Sequence, residues 1–480
     1  MKKSNRIMAL SVAAMMALTA CGGGNAEATK AAETNSQQNQ AAAGTAAASA
    51  AAETTAAEAE SEAAAPAGDP VYVNENAKDM TGNVRFYTCF AGEVGTDALI
   101  AEFNEYYPNV NVEAVIYKNS PDGNIGLDTA MMAGEVDVAL SFGVQNTAAR
   151  WENSLLLDMT DRLAADNLDL VKEWGTDAYT YNDRVYCLPS GGLSCYVAIN
   201  MDKWNEAGLG ELPVSWTYDE YIEACRAMTK DDVYGGSDFN QTDYWTYSVR
   251  QSKGTNAFYN EEGLSDFDNP VWANALQRQV DAEAEGVWYP KVTMLANGEK
   301  TRELFLTGKI ASTVESILTR YIKTIDHDFL IGYAPYPVAN EGEVNYMGGA
   351  IPNSHIIISK NCQDEEAAYA FAKFAATYGN KYMYAAGHAG TWTGNDLSEI
   401  LTVVFGSREE AEKYVDTEAF ERCVIAIGEP AYSEDYIAAY SEIQDLVNEY
   451  TVYALNGEMT VEDVMAEMKK YADEAIKEKQ

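Results

Sequence analysis

Between residues 84 and 142 the spacing of hydrophobic positions switches between the two periods that strands and helices use. Residues 84–90 read as a buried strand. Residues 97–107 then place Leu99, Ile100, Phe103 and Tyr106 on one helical face, and Pro108 stops that helix. Residues 110–117 alternate, 127–133 return to helical spacing before Gly134, and 136–142 are again strand-like. Strand, helix, strand, helix, strand is the opening of a doubly wound parallel sheet, so the expected fold class is α/β. In such sheets ligands bind beyond the carboxyl ends of the strands, where strand order reverses. That rule selects Phe90 and Glu93 after the first strand, and Phe142, Gln145 and Asn146 after the third. Far downstream, Thr460 and Asp463 form a capping box ahead of an apolar-periodic run.

The first 69 residues break this pattern. Lys2, Lys3 and Arg6 precede an apolar stretch over 7–17, which runs into Leu18, Thr19, Ala20 and Cys21. Residues 1–20 therefore read as a secretory signal peptide, too short for a membrane span of roughly 20 apolar residues. A cysteine at the cut resembles the lipobox of bacterial lipoproteins, which implies that Cys21 is acylated and anchors the chain without spanning the membrane. Residues 21–69 are Ala, Glu, Thr, Gln, Ser and Asn with almost no large apolar side chain. They cannot bury enough surface to offset their ordering entropy, so a disordered tether is expected. The roughly 400 residues beyond it are two domains' worth.

Charge and reactive residues narrow the function. A formal net charge of −41 excludes nucleic acid, whose phosphates need a basic surface. Beyond Cys21 lie Cys89, Cys187, Cys195, Cys225, Cys362 and Cys423, with no CxxC-like spacing and mostly apolar neighbours. They read as free thiols, with Cys187 and Cys195 the pair to check. His327, His355 and His388 are far apart and outside any zinc spacing. No nucleophile elbow, P-loop or dinucleotide-binding glycine loop is present. An enzyme, a cofactor and a metal are not expected.

A series of blocks carries a more specific signal: FNEYYPNVNVE at 103–113, MAGEVDV at 132–138, NDRVYCLP at 182–189, VAINMDKWNEAG at 197–208 and PVSWTYDE at 213–220. FLTGKIA at 305–311, IGYAPYP at 331–337, GGAI at 348–351, and ISKN at 358–361 leading into EEAAYAF at 365–371 follow. In this order they resemble the family 1 extracellular solute-binding proteins, relatives of maltose-binding protein that serve ABC importers. Val136 stands where many relatives have proline, and Tyr218 is an extra residue before an acid; neither falls at an expected ligand position.

The resemblance implies a periplasmic-binding-protein type II-like fold, two doubly wound α/β lobes joined by three crossovers. Lobe one would comprise residues 80–190 plus 340–395 and lobe two 191–339 plus 396–480, with crossovers near 190–194, 335–340 and 392–395. It further implies a monomer, anchored at the outer face of a bacterial cell membrane, that binds a small solute between the lobes and delivers it to permease subunits. Solute bridging the lobes favours the closed state. An oligosaccharide is the expected cargo. A polyamine, suited to so acidic a chain, or another small solute is the alternative, and a non-transport surface lipoprotein is the alternative role.

A sugar offers C–H faces to aromatic rings and hydroxyls to polar groups. Tyr244 and Trp245 lie in a polar run with no amphipathic reason for burial, and Trp288 precedes another aromatic residue and a proline. By the resemblance, Trp392 sits where the chain crosses back through the cleft and Glu315 follows a block near ligand or hinge. Gly348 and Gly349 let the backbone approach a ligand or make a hinge turn. Trp151, Trp204 and Trp216 are expected to be structural.

Overall fold

β1 (Gly82–Thr88) lies between β2 (Val110–Ile116) and β3 (Val138–Phe142) and runs parallel to both in the computed structural model. The structure describes residues 72–175, 180–237, 244–426, 431–432 and 439–479, without the side chains of Val144, Gln145 and Pro352. Residues 1–20, Cys21 and residues 21–69, expected to form a signal peptide, an anchor and a tether, lie outside the described residues.

Two helices make the crossovers between these strands. Thr96–Tyr106 buries Leu99 and Phe103. Pro121–Met132 buries Leu127 and Met131, and begins six residues earlier than the apolar period suggested. Ser120 accepts from the backbone N–H of Gly123, and Pro121 occupies the first turn, where its missing N–H costs nothing. Gly123, Asn124 and Gly126 hide this turn from a reading based on helix propensity. β1 ends at Thr88, two residues before the apolar run does.

Beyond β3 the sheet continues with β10 (Ile351–Ile358), β6 (Cys187–Leu193) and β11 (Ala389–Gly390), in the order β2-β1-β3-β10-β6-β11. β10 is antiparallel to both β3 and β6. A small hairpin, β4 (Thr180–Tyr181) with β5 (Arg184–Val185), stands apart. A second sheet has β7 (Tyr196–Asn200) at its centre, with β8 (Ser312–Glu315) and β9 (Ile331–Pro335) antiparallel to it on either side.

The chain passes from one sheet to the other at 194–195 and returns over 336–350. After β11 it goes back to the helix Ile400–Phe405, whose Ile400 and Leu401 pack with Ile331 and Tyr333 of β9. Each sheet has its own apolar core. Phe86, Phe103, Leu140 and Phe371 belong to the first. Beside the second sheet, Trp245, Phe258, Trp272, Val447 and Met468 form one cluster, and Phe305, Tyr333 and Phe420 another.

Several framework residues have evident work. Trp204 donates Nε1 to the carbonyl of Gly210 at 2.8 Å, and Trp216 to that of Pro335 at 2.7 Å. Trp151 stacks on Tyr181 with centroids 4.6 Å apart. Thr460 caps the helix Val461–Lys479 by accepting from the Asp463 N–H. No disulfide joins any two of the six described cysteines, and Cys187 and Cys195 lie in different core clusters. Among the described residues no helix is long and apolar enough to cross a membrane.

Candidate functional site

Strand directions bring three groups of residues to one place. β1, β3 and β6 end at the same edge of the first sheet, and β10 starts there. Because β1 connects to β2 on one side and β2 connects back across β1 to β3 on the other, this edge is also the switch point. β7 leaves from it, and β8 and β9 end beside the first residue of β7: Tyr196 pairs with both Glu315 and Pro335. Residues following β1 and β3 therefore meet those following β8.

The meeting point is aromatic and basic. Phe90, Phe142 and His388 form a triangle of rings with centroid separations of 5.4, 5.2 and 5.4 Å. Gly191 makes room for the imidazole: a Cβ there would stand 2.9 Å from Ser354 Oγ and 3.3 Å from His388 Cβ. From the 3-10 turn Leu318–Tyr321, the guanidinium of Arg320 lies 5.6 Å from the Phe90 centroid and 5.4 Å from that of Tyr321. Arg302 covers Tyr321 as well, at 4.6 Å. Burial pushes the His388 imidazole well below its ordinary pKa, and Arg320 adds to the effect, so the ring is neutral at neutral pH. Ser190 Oγ, both ring nitrogens of His388, Nη1 of Arg302, and Nε and Nη2 of Arg320 are buried without a hydrogen-bond partner. A cluster of aromatic faces with buried, unpartnered donors and acceptors can hold a polar organic molecule. The cavity beside Phe90, between Phe86, Leu140, Ser190 and Met383, measures about 20 Å³ and admits little more than one water.

Glu315 works from behind this cluster. It is 1% exposed, and its carboxylate accepts from the backbone N–H groups of Ser316 and Ile317 and from the Thr301 hydroxyl. Burial pushes its carboxyl up, against the opposing pull of Arg302. It shapes the turn that carries Arg320. On the other side, Arg150 is almost wholly buried and donates to Asp128, Ser141 and Asn124 at 2.6–2.7 Å. Ser141 and Thr147 continue this network to His355 Nδ1. It pins the helix Val144–Glu152 against β3 and so sets the course of the loop after Phe142.

The remaining sequence candidates are dispersed. Glu93 is exposed in the turn Gly92–Val94. Asn146 donates its amide to the carbonyl of Phe142 at 2.7 Å. The side chain of Gln145 lies outside the described residues. Trp245, expected in a loop, is 5% exposed, donates Nε1 to Thr451 Oγ1 at 2.7 Å and packs edge-on against Trp272. Its polar sequence neighbours conceal a core position. Tyr244 is buried beside Tyr247 and Tyr336, and Trp288 is buried against Gly236 and Tyr221. Trp392 donates to Glu173 at 3.0 Å and packs edge-on against Tyr378. Gly348 belongs to a turn in which its N–H donates to Asn345, and the Gly349 carbonyl accepts from Ile351. The structure thus joins Phe90 and Phe142, sets Glu315 behind the facing turn, and brings in Ser190, Arg302, Arg320 and His388, which no motif had marked. A faint signal existed for His388, since Gly387, Ala389 and Gly390 surround it with small residues; Arg320 had none. Among the described residues no group of three His, Cys, Asp or Glu is placed to hold a metal ion.

The sequence matches the family model described as bacterial extracellular solute-binding protein over residues 91–382. No curated protein matches it. Among solved structures, the fold is similar to an ABC substrate-binding protein from Listeria monocytogenes in complex with cycloalternan, at 19% identity and a TM-score of 0.63, covering 83% of this chain and 100% of that one. It is similar to maltose-bound MalE3 from T. maritima, at 20% identity and a TM-score of 0.61, covering 82% and 99%. A third likeness is to UgpB from Mycobacterium tuberculosis in complex with glycerophosphocholine, at 16% identity and a TM-score of 0.60, covering 83% and 99%. The likeness at these identities is one of fold: the periplasmic-binding-protein type II-like arrangement expected from the sequence.

Proposed function

Because this chain belongs to the bacterial extracellular solute-binding proteins, we propose that it captures a carbohydrate between two lobes and delivers it to the permease subunits of an ABC importer. The observation that carries this reading is the meeting of Phe90, Phe142 and His388, at the switch point of one sheet, with Arg320 from the other. Rings for C–H faces stand there beside unpartnered polar groups for hydroxyls. The relatives from Listeria and T. maritima hold cycloalternan and maltose, both carbohydrates.

On this reading lobe one comprises residues 80–190 plus 340–395, and lobe two 191–339 plus 396–480. Phe90, Glu93, Phe142, Gln145 and Asn146 meet the solute from lobe one. Glu315 holds the turn that meets it from lobe two, Gly348, Gly349 and Trp392 shape the hinge, and Tyr244, Trp245 and Trp288 pack the core of lobe two behind it. The solute binds more tightly to the closed arrangement than to the open one and shifts the population by that difference. The closed form docks on the importer, and no bond of the solute is made or broken. An acyl group on Cys21 and the tether over 21–69 hold this monomeric protein at the outer face of the membrane.

Thermal melts against oligosaccharides, polyamines and amino acids test the reading. A ligand at 100 times its Kd adds about 2.7 kcal/mol to stability, so the expected result is an upward shift of several degrees with carbohydrates. A shift with polyamines alone overturns the carbohydrate and keeps the transport role. A cooperative melt that no solute moves sinks the transport role itself.

A further inference from the structure

We propose that the solute is an acidic carbohydrate and that Arg320, with His388 beside it, receives its anionic group. The inference rests on the carbohydrate reading above and narrows it to a charge class.

Arg320 has its flat faces engaged and part of its edge open. Its guanidinium lies over the rings of Phe90 and Tyr321. Stacking of that kind occupies the flat faces of the group and leaves the N–H edge to make hydrogen bonds. On that edge Nε and Nη2 are buried and have no partner, and Arg320 makes no ion pair among the described residues. Nε and Nη2 form the fork that grips a carboxylate with two parallel bonds. This protein displays the same fork filled elsewhere: Arg85 gives Nε to Asp137 Oδ2 at 2.9 Å and Nη2 to Oδ1 at 3.0 Å.

The surroundings make the open fork unusual. Acidic residues number 74 against 33 basic ones, so an arginine has acids to choose from nearly everywhere. Here the second cation, Arg302, shares the ring of Tyr321 with Arg320. The nearby acid, Glu315, points its carboxylate at Thr301 and at two backbone N–H groups. The site is therefore locally positive within a strongly negative protein. A half-buried cation whose buried N–H edge lacks a partner is costly, and an incoming anion offsets that cost, whereas a neutral hydroxyl does so only weakly. His388 is 1% exposed and both its nitrogens are unpartnered. A neutral imidazole supplies one donor and one acceptor, suited to a hydroxyl adjoining the acid group.

Isothermal titration of the full chain tests this with galacturonate, glucuronate and mannuronate oligomers, their methyl esters, sugar phosphates, and neutral maltose and galactose oligomers. The expected result is that one acidic sugar binds, and that esterification or Arg320→Gln weakens it about 10- to 100-fold. Arg320→Lys, which keeps the charge but not the fork, falls between. Preference for a uronate over a sugar phosphate, or the reverse, tells carboxylate from phosphate. The ester comparison is made on the unaltered protein, so it stands even if the variants misfold. Neutral oligosaccharides binding as tightly as their acidic counterparts, with Arg320→Gln indifferent, overturns the acidic class and leaves the carbohydrate reading intact. Binding by no carbohydrate of either charge overturns both.

Discussion

Arg85 and Asp137 join the start of the first sheet by a bidentate pair, with N–O distances of 2.9 and 3.0 Å. Asp137 also accepts from the backbone N–H groups of Arg85 and Gln363, and its side chain is 2% exposed. It thereby ties β1, the approach to β3 and the chain after β10 to one carboxylate. Breaking a buried pair from one side leaves the other charge uncompensated. Asp137→Asn is expected to cost about 3 kcal/mol, read as a lower urea midpoint with an unchanged slope. A midpoint equal to that of the parent protein sinks the claim.

The same carboxylate governs part of the acid limb. Burial alone would raise the pKa of Asp137, but its bonds to Arg85 and to the backbone N–H groups of Arg85 and Gln363 outweigh it and hold the carboxyl below the usual range. A depressed carboxylate contributes stability that is complete above its unfolded pKa and is lost as pH falls through the folded value. Stability of Asp137→Asn should accordingly depend less on pH below about 4 than that of the parent protein, in urea titrations at stepped pH.

His355 acts at a higher pH. Burial pushes its imidazole down to about 3, with Thr147 Oγ1 on Nδ1 at 3.0 Å. The unfolded ring takes up a proton near pH 6.5 while the folded one does not, so stability is complete above that value and declines as pH falls toward 3. Between pH 6.5 and 5 the loss is about 2 kcal/mol. His355→Gln should melt at a temperature less sensitive to pH across that interval. Parallel melting curves for variant and parent would count against this.

Trp245→Phe separates packing from recognition. The change removes the bond to Thr451 and part of the contact with Trp272, at a cost of about 2 kcal/mol. Calorimetry should find the protein less stable and its solute affinity unchanged. Phe90→Leu should instead affect both. It removes the ring under Arg320, worth about 1 kcal/mol, and the edge contact with Phe142, so the melt should fall and solute binding should weaken several-fold.

The thiols offer a further check. Burial pushes Cys187 and Cys195 up to about 12, so neither presents a thiolate near neutrality. A thiol reagent at pH 8 should leave both unmodified in the native protein, and all six cysteines after Cys21 should react in guanidinium without reductant. A lower count in guanidinium would reveal a disulfide.

Period and punctuation determined a good deal of this protein without any tertiary information. The strand and helix order from 84 to 142 follows from which positions are apolar, because each element must turn one face or stripe inward. The candidacy of Phe90 and Phe142 followed from that order, since the switch point of a doubly wound sheet is a property of its connections. What the local sequence could not carry was burial set by distant partners. Trp245 looks like a loop residue until Thr451 and Trp272, remote in the chain, close over it. The turn at Ser120 was masked by its glycines, although Ser120 caps it locally and Arg150 bonds Asn124 from a distance. Arg320 carries no signal of its own and His388 only the small residues around it, because their character lies in what they lack: a carboxylate for one, any hydrogen-bond partner for the other. Such an absence arises only when elements 68 residues apart in the chain are packed together, and it is decided by the fold rather than by neighbours in the sequence.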